Sequence, residues 1–176
     1  MKFLKYIIPV LLIAALFCGC SSRKKYRIGV SVPAATHGWT GGVVWNAKEA
    51  KKRIEKANPD VEVILTMAQN TAEQVDHIEN LITQQVNALV VLSQEPGPLN
   101  EVCKKAKQNG IYFVNVSNPL PDPCQDIFVN GSNAGFGAAS AEAMGKILNG
   151  KGNILVMEGI PCPINTERIT AFKKVL

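Results

Sequence analysis

From Tyr26 onward, short apolar runs alternate with stretches whose apolar residues recur every three or four positions. Arg27–Val32 reads as a strand, and Val43, Ala47, Ala50, Ile54 and Ala57 mark one face of the helix that follows. Asn58-Pro59-Asp60 breaks that helix, and Val61–Met67 reads as a second strand. Thr71-Ala72-Glu73-Gln74 has the spacing of a capping box and opens a helix with Val75, Ile78, Ile82 and Val86 inward. Ala88–Leu92 is continuously apolar, as expected of a strand covered on both faces. Leu99, Val102, Cys103 and Ala106 line the next helix, closed by Asn109-Gly110, where glycine supplies the left-handed residue. Tyr112–Val116 predicts a fourth strand and Ile127–Val129 a shorter fifth. Ala138, Ala141, Met144 and Leu148 give a further helix face ended by Asn149-Gly150. Asn153–Met157 then reads as a strand and Thr166–Leu176 as a helix that runs into the chain end. Strands separated by helices throughout imply βαβ units, right-handed crossovers and a parallel sheet, an α/β fold.

This order divides the chain. Residues 26–150 hold the elements of one complete α/β lobe, and residues 151–176 begin a second. A strand and a helix make no core of their own. Either the chain is a fragment of a longer protein, or these elements dock on the first lobe.

The start of the chain has a different character. Met1–Lys5 is short and basic, and Ile7–Gly19 is an apolar run of 13 residues, too short to span a bilayer comfortably and laid out like a secretory signal. Phe17-Cys18-Gly19-Cys20 resembles the lipobox of bacterial lipoproteins, with Phe17 where leucine is more usual. The resemblance implies cleavage after residue 19, lipidation of Cys20, a tether over residues 20–25 and a mature chain held on a membrane in the periplasm or at the cell surface. The formal charge of +5, from 19 Lys and Arg against 14 Asp and Glu, suggests a polyanionic partner at first sight. Without Lys2 and Lys5 the balance is 17 against 14, or +3, with Arg23, Lys24 and Lys25 in the tether. The other lysines are scattered along polar helix faces, so a nucleic-acid partner is not expected.

Candidate chemistry is sparse. Three cysteines remain beyond Cys20, namely Cys103, Cys124 and Cys162, and their spacing matches no metal or redox motif. One disulfide or free, partly buried thiols are both open to them. His37 and His77 have no nucleophile or ligand partners in sequence, so neither an enzyme nor a metal or cofactor site is expected. Gly131, Gly135 and Gly137 do not have phosphate-loop spacing and read as a turn and close helix packing. In open α/β sheets ligands lie beyond the carboxyl ends of the strands. The loop after the first strand offers Thr36, His37 and Trp39. A Trp face suits the C–H surface of a sugar ring, or packs over its own helix. Glu95, after the third strand, either accepts from two hydroxyls or favours a helix N-terminus.

Several segments in register resemble one family. Gln74-Val75…Ile78-Glu79-Asn80-Leu81-Ile82 leads to Val86-Asn87-Ala88-Leu89-Val90-Val91, and Gly110-Ile111…Phe113-Val114 follows. Gly131-Ser132-Asn133-Ala134-Gly135, Gly150-Lys151-Gly152-Asn153 and Glu158-Gly159…Arg168…Phe172 complete the series. From Arg27 to Leu176 the chain resembles the type I periplasmic sugar-binding proteins, the ribose/galactose group that serves ABC importers. The resemblance implies a periplasmic binding protein-like I fold: two α/β lobes that close about a hinge on a ligand. It implies a monomer that captures a monosaccharide or polyol and delivers it to a membrane permease with its cytoplasmic ATPase. A ligand-sensing module for a sensor kinase, or an autoinducer-2-type receptor, is the alternative on the same fold. Thr36, His37 and Trp39 are carried over by position where the family commonly has Asn and Phe. Ser117 and Asn118 stand where ribose-type members place Asp-Arg, which removes two charged contacts and argues against ribose itself. Arg168 matches a ligand-binding arginine of the second lobe, or forms a surface ion pair.

Overall fold

The computed structural model describes residues 25–159 and 162–176. The predicted leader, the Cys20 lipidation site and most of the tether lie outside the described residues. Five parallel strands are laid down by β1 (Tyr26–Pro33), β2 (Val61–Ala68), β3 (Ala88–Leu92), β4 (Tyr112–Val116) and β5 (Ile127–Val129). They form one sheet in the order β2-β1-β3-β4-β5. The helices between them are α1 (Gly38–Ala57), α2 (Thr71–Thr83) and α3 (Pro96–Gln108), with α4 (Asn133–Ile147) and α5 (Pro163–Val175) after the sheet.

Strand order reverses direction at β1, so the right-handed rule sends α1 to one face and α2 and α3 to the other. The side-chain alternation of the strands matches. Leu89, Val91 and Phe113 are fully buried with Ile78, Leu81, Leu99, Cys103 and Ala106 in the main core between sheet and α2–α3. The opposite face carries Val32, Val44 and Leu92 in a smaller cluster, with Val30 and Val116 packed against it. Beside that cluster an apolar groove of about 460 Å³ runs between α1 and the sheet. The face predicted for α1 turns toward this groove, through Val43, Ala47, Ala50 and Ile54. The α3 stripe Leu99, Val102, Cys103 and Ala106 is buried as its spacing requires, and Gly110 closes the helix at φ +74°.

The amino ends of the strands are fastened by Arg27. Its Nε donates to Glu62 at 2.9 Å, while its other nitrogens donate to the Gln84 carbonyl and side chain. This leaves the opposite, carboxyl ends for the loops that carry the candidate residues.

Two local expectations need correction. The cap of α2 is Asn70, whose side chain accepts from the Glu73 N–H at 2.9 Å, one residue before the predicted capping box. Gln74 therefore falls on the inward stripe and is fully buried. Asn153–Met157 forms no strand: it pairs with no strand of the sheet, and Leu155 stands 91% exposed. β-Branched composition favours extension, but a strand exists only through the hydrogen bonds of a neighbour.

Helices α4 and α5 pack on each other. Asn133, Gly137 and Ala141 are the buried residues of α4. A Cβ on Gly137 would lie 2.1 Å from the Arg168 carbonyl oxygen, so the close helix approach read from this glycine is realised in the structure.

Candidate functional site

The reversal of strand order between β1 and β3 creates a crevice outside their carboxyl ends, the position where open α/β sheets bind ligands. Register places the ends side by side: Ser31 pairs with Val91, and Leu92 pairs with Val116. The loops after β1, β3 and β4 therefore emerge next to one another.

The β1 loop is folded back by backbone bonds, Ala34 N–H to the Ala68 carbonyl at 2.8 Å and Thr36 N–H to Ala34 at 2.9 Å. The Thr40 hydroxyl accepts from the Thr36 and His37 amides, each at 3.1 Å, and donates to the His37 carbonyl at 3.0 Å. One buried threonine thus satisfies the start of α1. His37 takes the N-cap position in extended backbone. Thr36, His37 and Trp39 are all exposed, Trp39 by 55%. Trp39 and Ser117 line the same end of the α1 groove with Leu92 and Val116.

The β3 loop is held by Gln74. Its Nε2 donates to the Leu92 carbonyl at 2.8 Å and to Ser31 Oγ at 3.3 Å, and its Oε1 accepts from the Gln94 N–H at 2.9 Å. Glu95 follows as the N-cap of α3, exposed and without a side-chain capping bond.

The β4 loop is cross-linked to the β3 loop. Asn118 Nδ2 donates to the Ser93 carbonyl at 2.6 Å, and Asn115 Nδ2 donates to the Asn118 carbonyl at 3.0 Å. Ser117 holds φ +65°, an unusual conformation for a residue with a Cβ, and its N–H donates to Val129 at 2.8 Å. Ser93 and Asn115 are fully buried, and Ser93 Oγ and Asn115 Oδ1 have no hydrogen-bond partner among the described residues.

Six predicted residues are thus gathered at one end of the sheet: Thr36, His37, Trp39, Glu95, Ser117 and Asn118. Asn118 differs from the others, since its side-chain amide is engaged in bracing the β3 loop. Arg168 belongs to the α4–α5 pair, where its Nε donates to Asn133 Oδ1 at 3.0 Å and its guanidinium lies 4.7 Å from the Phe136 ring centre. Neither contact is the surface ion pair that was its alternative.

Gln74, Ser93 and Asn115 were not among the candidate site residues read from the sequence. The available signal was a polar residue at an inward position: Gln74 precedes Ile78 by one turn on a buried stripe, and Asn115 interrupts an apolar strand. Among the described residues, no group of three or more His, Cys, Asp and Glu side chains is placed to hold a metal ion. The assembled chemistry is hydroxyl, amide, imidazole and carboxylate beside an indole face, suited to hydrogen-bonding an uncharged polar molecule while covering its apolar side.

The periplasmic binding protein domain family matches residues 28–176. The xylitol-binding protein of Mycolicibacterium smegmatis is 31% identical over 134 residues, covering 76% of this chain and 37% of that protein. A solute-binding protein from Bacillus halodurans C-125, solved with bound myo-inositol, has a TM-score of 0.75 at 22% identity, covering 88% of this chain and 53% of its own. The fructose-binding periplasmic domain of a hybrid two-component system has a TM-score of 0.73 at 20% identity, covering 85% of this chain and 49% of its own. The chain spans between 31% and 50% of the length of the curated relatives it matches. With the parallel sheet, its switch point and a match over residues 28–176, this chain belongs to the periplasmic binding protein domain family.

Proposed function

We propose that the protein containing this chain captures a sugar or polyol outside the cytoplasm and delivers it to an ABC importer. The observation that carries this reading is the set of braced loops beyond β1, β3 and β4, with Trp39 and Ser117 on one groove end. The xylitol-binding relative supports a polyol as ligand. Thr36, His37, Glu95 and Ser117 supply hydrogen bonds to its hydroxyls, and Trp39 covers its C–H face. Asn118 contributes chiefly by holding the loop.

The second lobe supplies the opposing wall, and ligand favours the closed arrangement because only closure satisfies both sets of contacts. The packing of α4 on α5 favours a boundary between the lobes near Gly131, ahead of the residue-150 division that the element order suggests. Binding without covalent change is the whole of the activity. A leader ending at Gly19 and a lipid on Cys20 would keep the protein near its permease; labelling with a fatty acid, lost in Cys20→Ser, tests that anchor.

A thermal-shift panel of pentoses, hexoses, polyols and autoinducer-2 on the whole gene product tests the ligand class. Stabilisation by at least one sugar or polyol is expected; no shift with any of them would overturn the reading. The fold of the two-component-system domain supports a second partner, a sensor kinase. Co-purification with a permease rather than a kinase decides for import.

A further inference from the structure

The connection from β4 to β5 crosses α3, and three polar contacts fasten the two together. Asn100 Oδ1 accepts from the Asp122 N–H at 3.1 Å. Lys104 pairs with Asp122 at 2.6 Å, and Lys107 pairs with Asp126 at 2.7 Å. Residues 100, 104 and 107 share one face of α3, and Cys103 sits inside that stripe, fully buried. On the connection, Cys124 lies midway between Asp122 and Asp126, half-buried against the same core cluster that contains Cys103. Asn100 and Lys104, on either side of Cys103, both reach Asp122, two residues before Cys124, and both thiols are free in the structure.

We propose that Cys103 and Cys124 form an intramolecular disulfide that locks the β4–β5 connection onto α3. The pairing in cells rests on the extracytoplasmic reading above, because such compartments supply the oxidant. That oxidant is a disulfide, either of a thiol–disulfide oxidoreductase or of glutathione. Cys124, the more accessible thiol, loses its proton and attacks one sulfur of the external disulfide. Its S–S bond breaks, one sulfur leaves as thiolate and takes up a proton, and a mixed disulfide remains on Cys124. Cys103 then loses its proton, attacks Cys124 Sγ and expels the second sulfur, which is protonated in turn. The two cysteines lose two electrons, and the external disulfide gains two and ends as two thiols. Burial pushes the Cys103 thiol up to about 12, so this closing step is the slow one. Cys162 stands apart, at the N-cap of α5 beside Thr166 and Ala134.

The test uses the purified protein incubated with reduced and oxidised glutathione, then alkylated and digested with trypsin without reduction. Lys104, Lys105 and Lys107 separate the cysteines into different peptides. The expected product is a single linked pair containing Cys103 and Cys124, absent from Cys124→Ser and retained in Cys162→Ser. Its formation should quicken roughly tenfold per pH unit as more Cys103 becomes thiolate. Closure of the loop should raise the melting midpoint by about 5–10 °C. A glutathione adduct that persists on Cys124 beside an alkylatable Cys103, or a Cys124–Cys162 link, would overturn the pairing. The same digest of protein alkylated directly in cells separates the two readings. The linked pair found there supports both; free thiols there, after closure in vitro, would overturn the extracytoplasmic reading and not the pairing.

Discussion

Gln74 Oε1 accepts a hydrogen bond from the Gln94 backbone N–H at 2.9 Å, so a fully buried side chain on α2 sets the position of the loop after β3. The same amide donates to the Leu92 carbonyl and to Ser31, joining three elements beneath the candidate site. Gln74→Leu keeps the volume but removes every partner, leaving the Gln94 amide and the Leu92 carbonyl unpaired. A loss of about 2–4 kcal/mol is expected, from unpaired buried groups at roughly 1–3 kcal/mol each. Urea unfolding measures it, and an unchanged midpoint would show that the loop is held by other means.

Trp39 tests the site rather than the fold. It is 55% exposed, so Trp39→Ala should alter the melting midpoint by little. In the whole gene product, loss of the indole face should weaken ligand binding at least tenfold by titration calorimetry, as for a contact worth about 1.4 kcal/mol or more. Equal affinity in the variant would remove Trp39 from the site.

At Gly137 the backbones of α4 and α5 meet. Gly137→Ala places a methyl 2.1 Å from the Arg168 carbonyl oxygen, which belongs to backbone and cannot rotate away. The helices must separate, which breaks the Arg168–Asn133 bond and the stacking on Phe136. A cost of about 1–3 kcal/mol is expected from overpacking. Hydrogen exchange localised to these two helices reads it, and unchanged protection there would contradict the packing.

Asp126 gives the structure an acid-sensitive tie. Its carboxylate accepts from Lys107 Nζ and from the Phe113 N–H at 2.7 Å, and these bonds hold its pKa below the usual carboxylate range. The folded pKa is depressed, so the contribution is complete above the unfolded value of about 3.9 and is lost as pH falls through the folded value. Asp126→Asn should lower stability at neutral pH and flatten its decline under acid. Parallel pH–stability curves for the two proteins would refute the assignment.

Much of this was legible in the residues. The periodicity of Leu99, Val102, Cys103 and Ala106 marked a buried stripe, and the structure buries all four. The β/α alternation implied the parallel sheet, and the segments around Gln74–Val91 carried the family resemblance. Thr36, His37, Trp39, Glu95 and Ser117 could be placed together because loops after parallel strands gather at one end of a sheet. Such inferences need only local pattern and a general rule of chirality.

What periodicity cannot supply is the identity of the partner. Gln74 contacts Ser31 across 43 residues, and Arg168 contacts Asn133 across 35. An inward polar position signals burial, yet which carbonyl or amide satisfies it depends on strand order. The same limit explains residues 153–157: their extended propensity was readable, whereas the absence of a pairing strand among the described residues was not. By itself the sequence determined the five strands of the sheet, the buried face of α3 and the end of the sheet where the candidate residues gather. The tertiary structure decided that Asn118 turns into the brace, that Arg168 rests on α4 and that Cys103 shares a seam with Cys124. Those outcomes depend on long-range geometry, because a hydrogen bond or a packing contact is fixed by the distance between chains that only folding brings together.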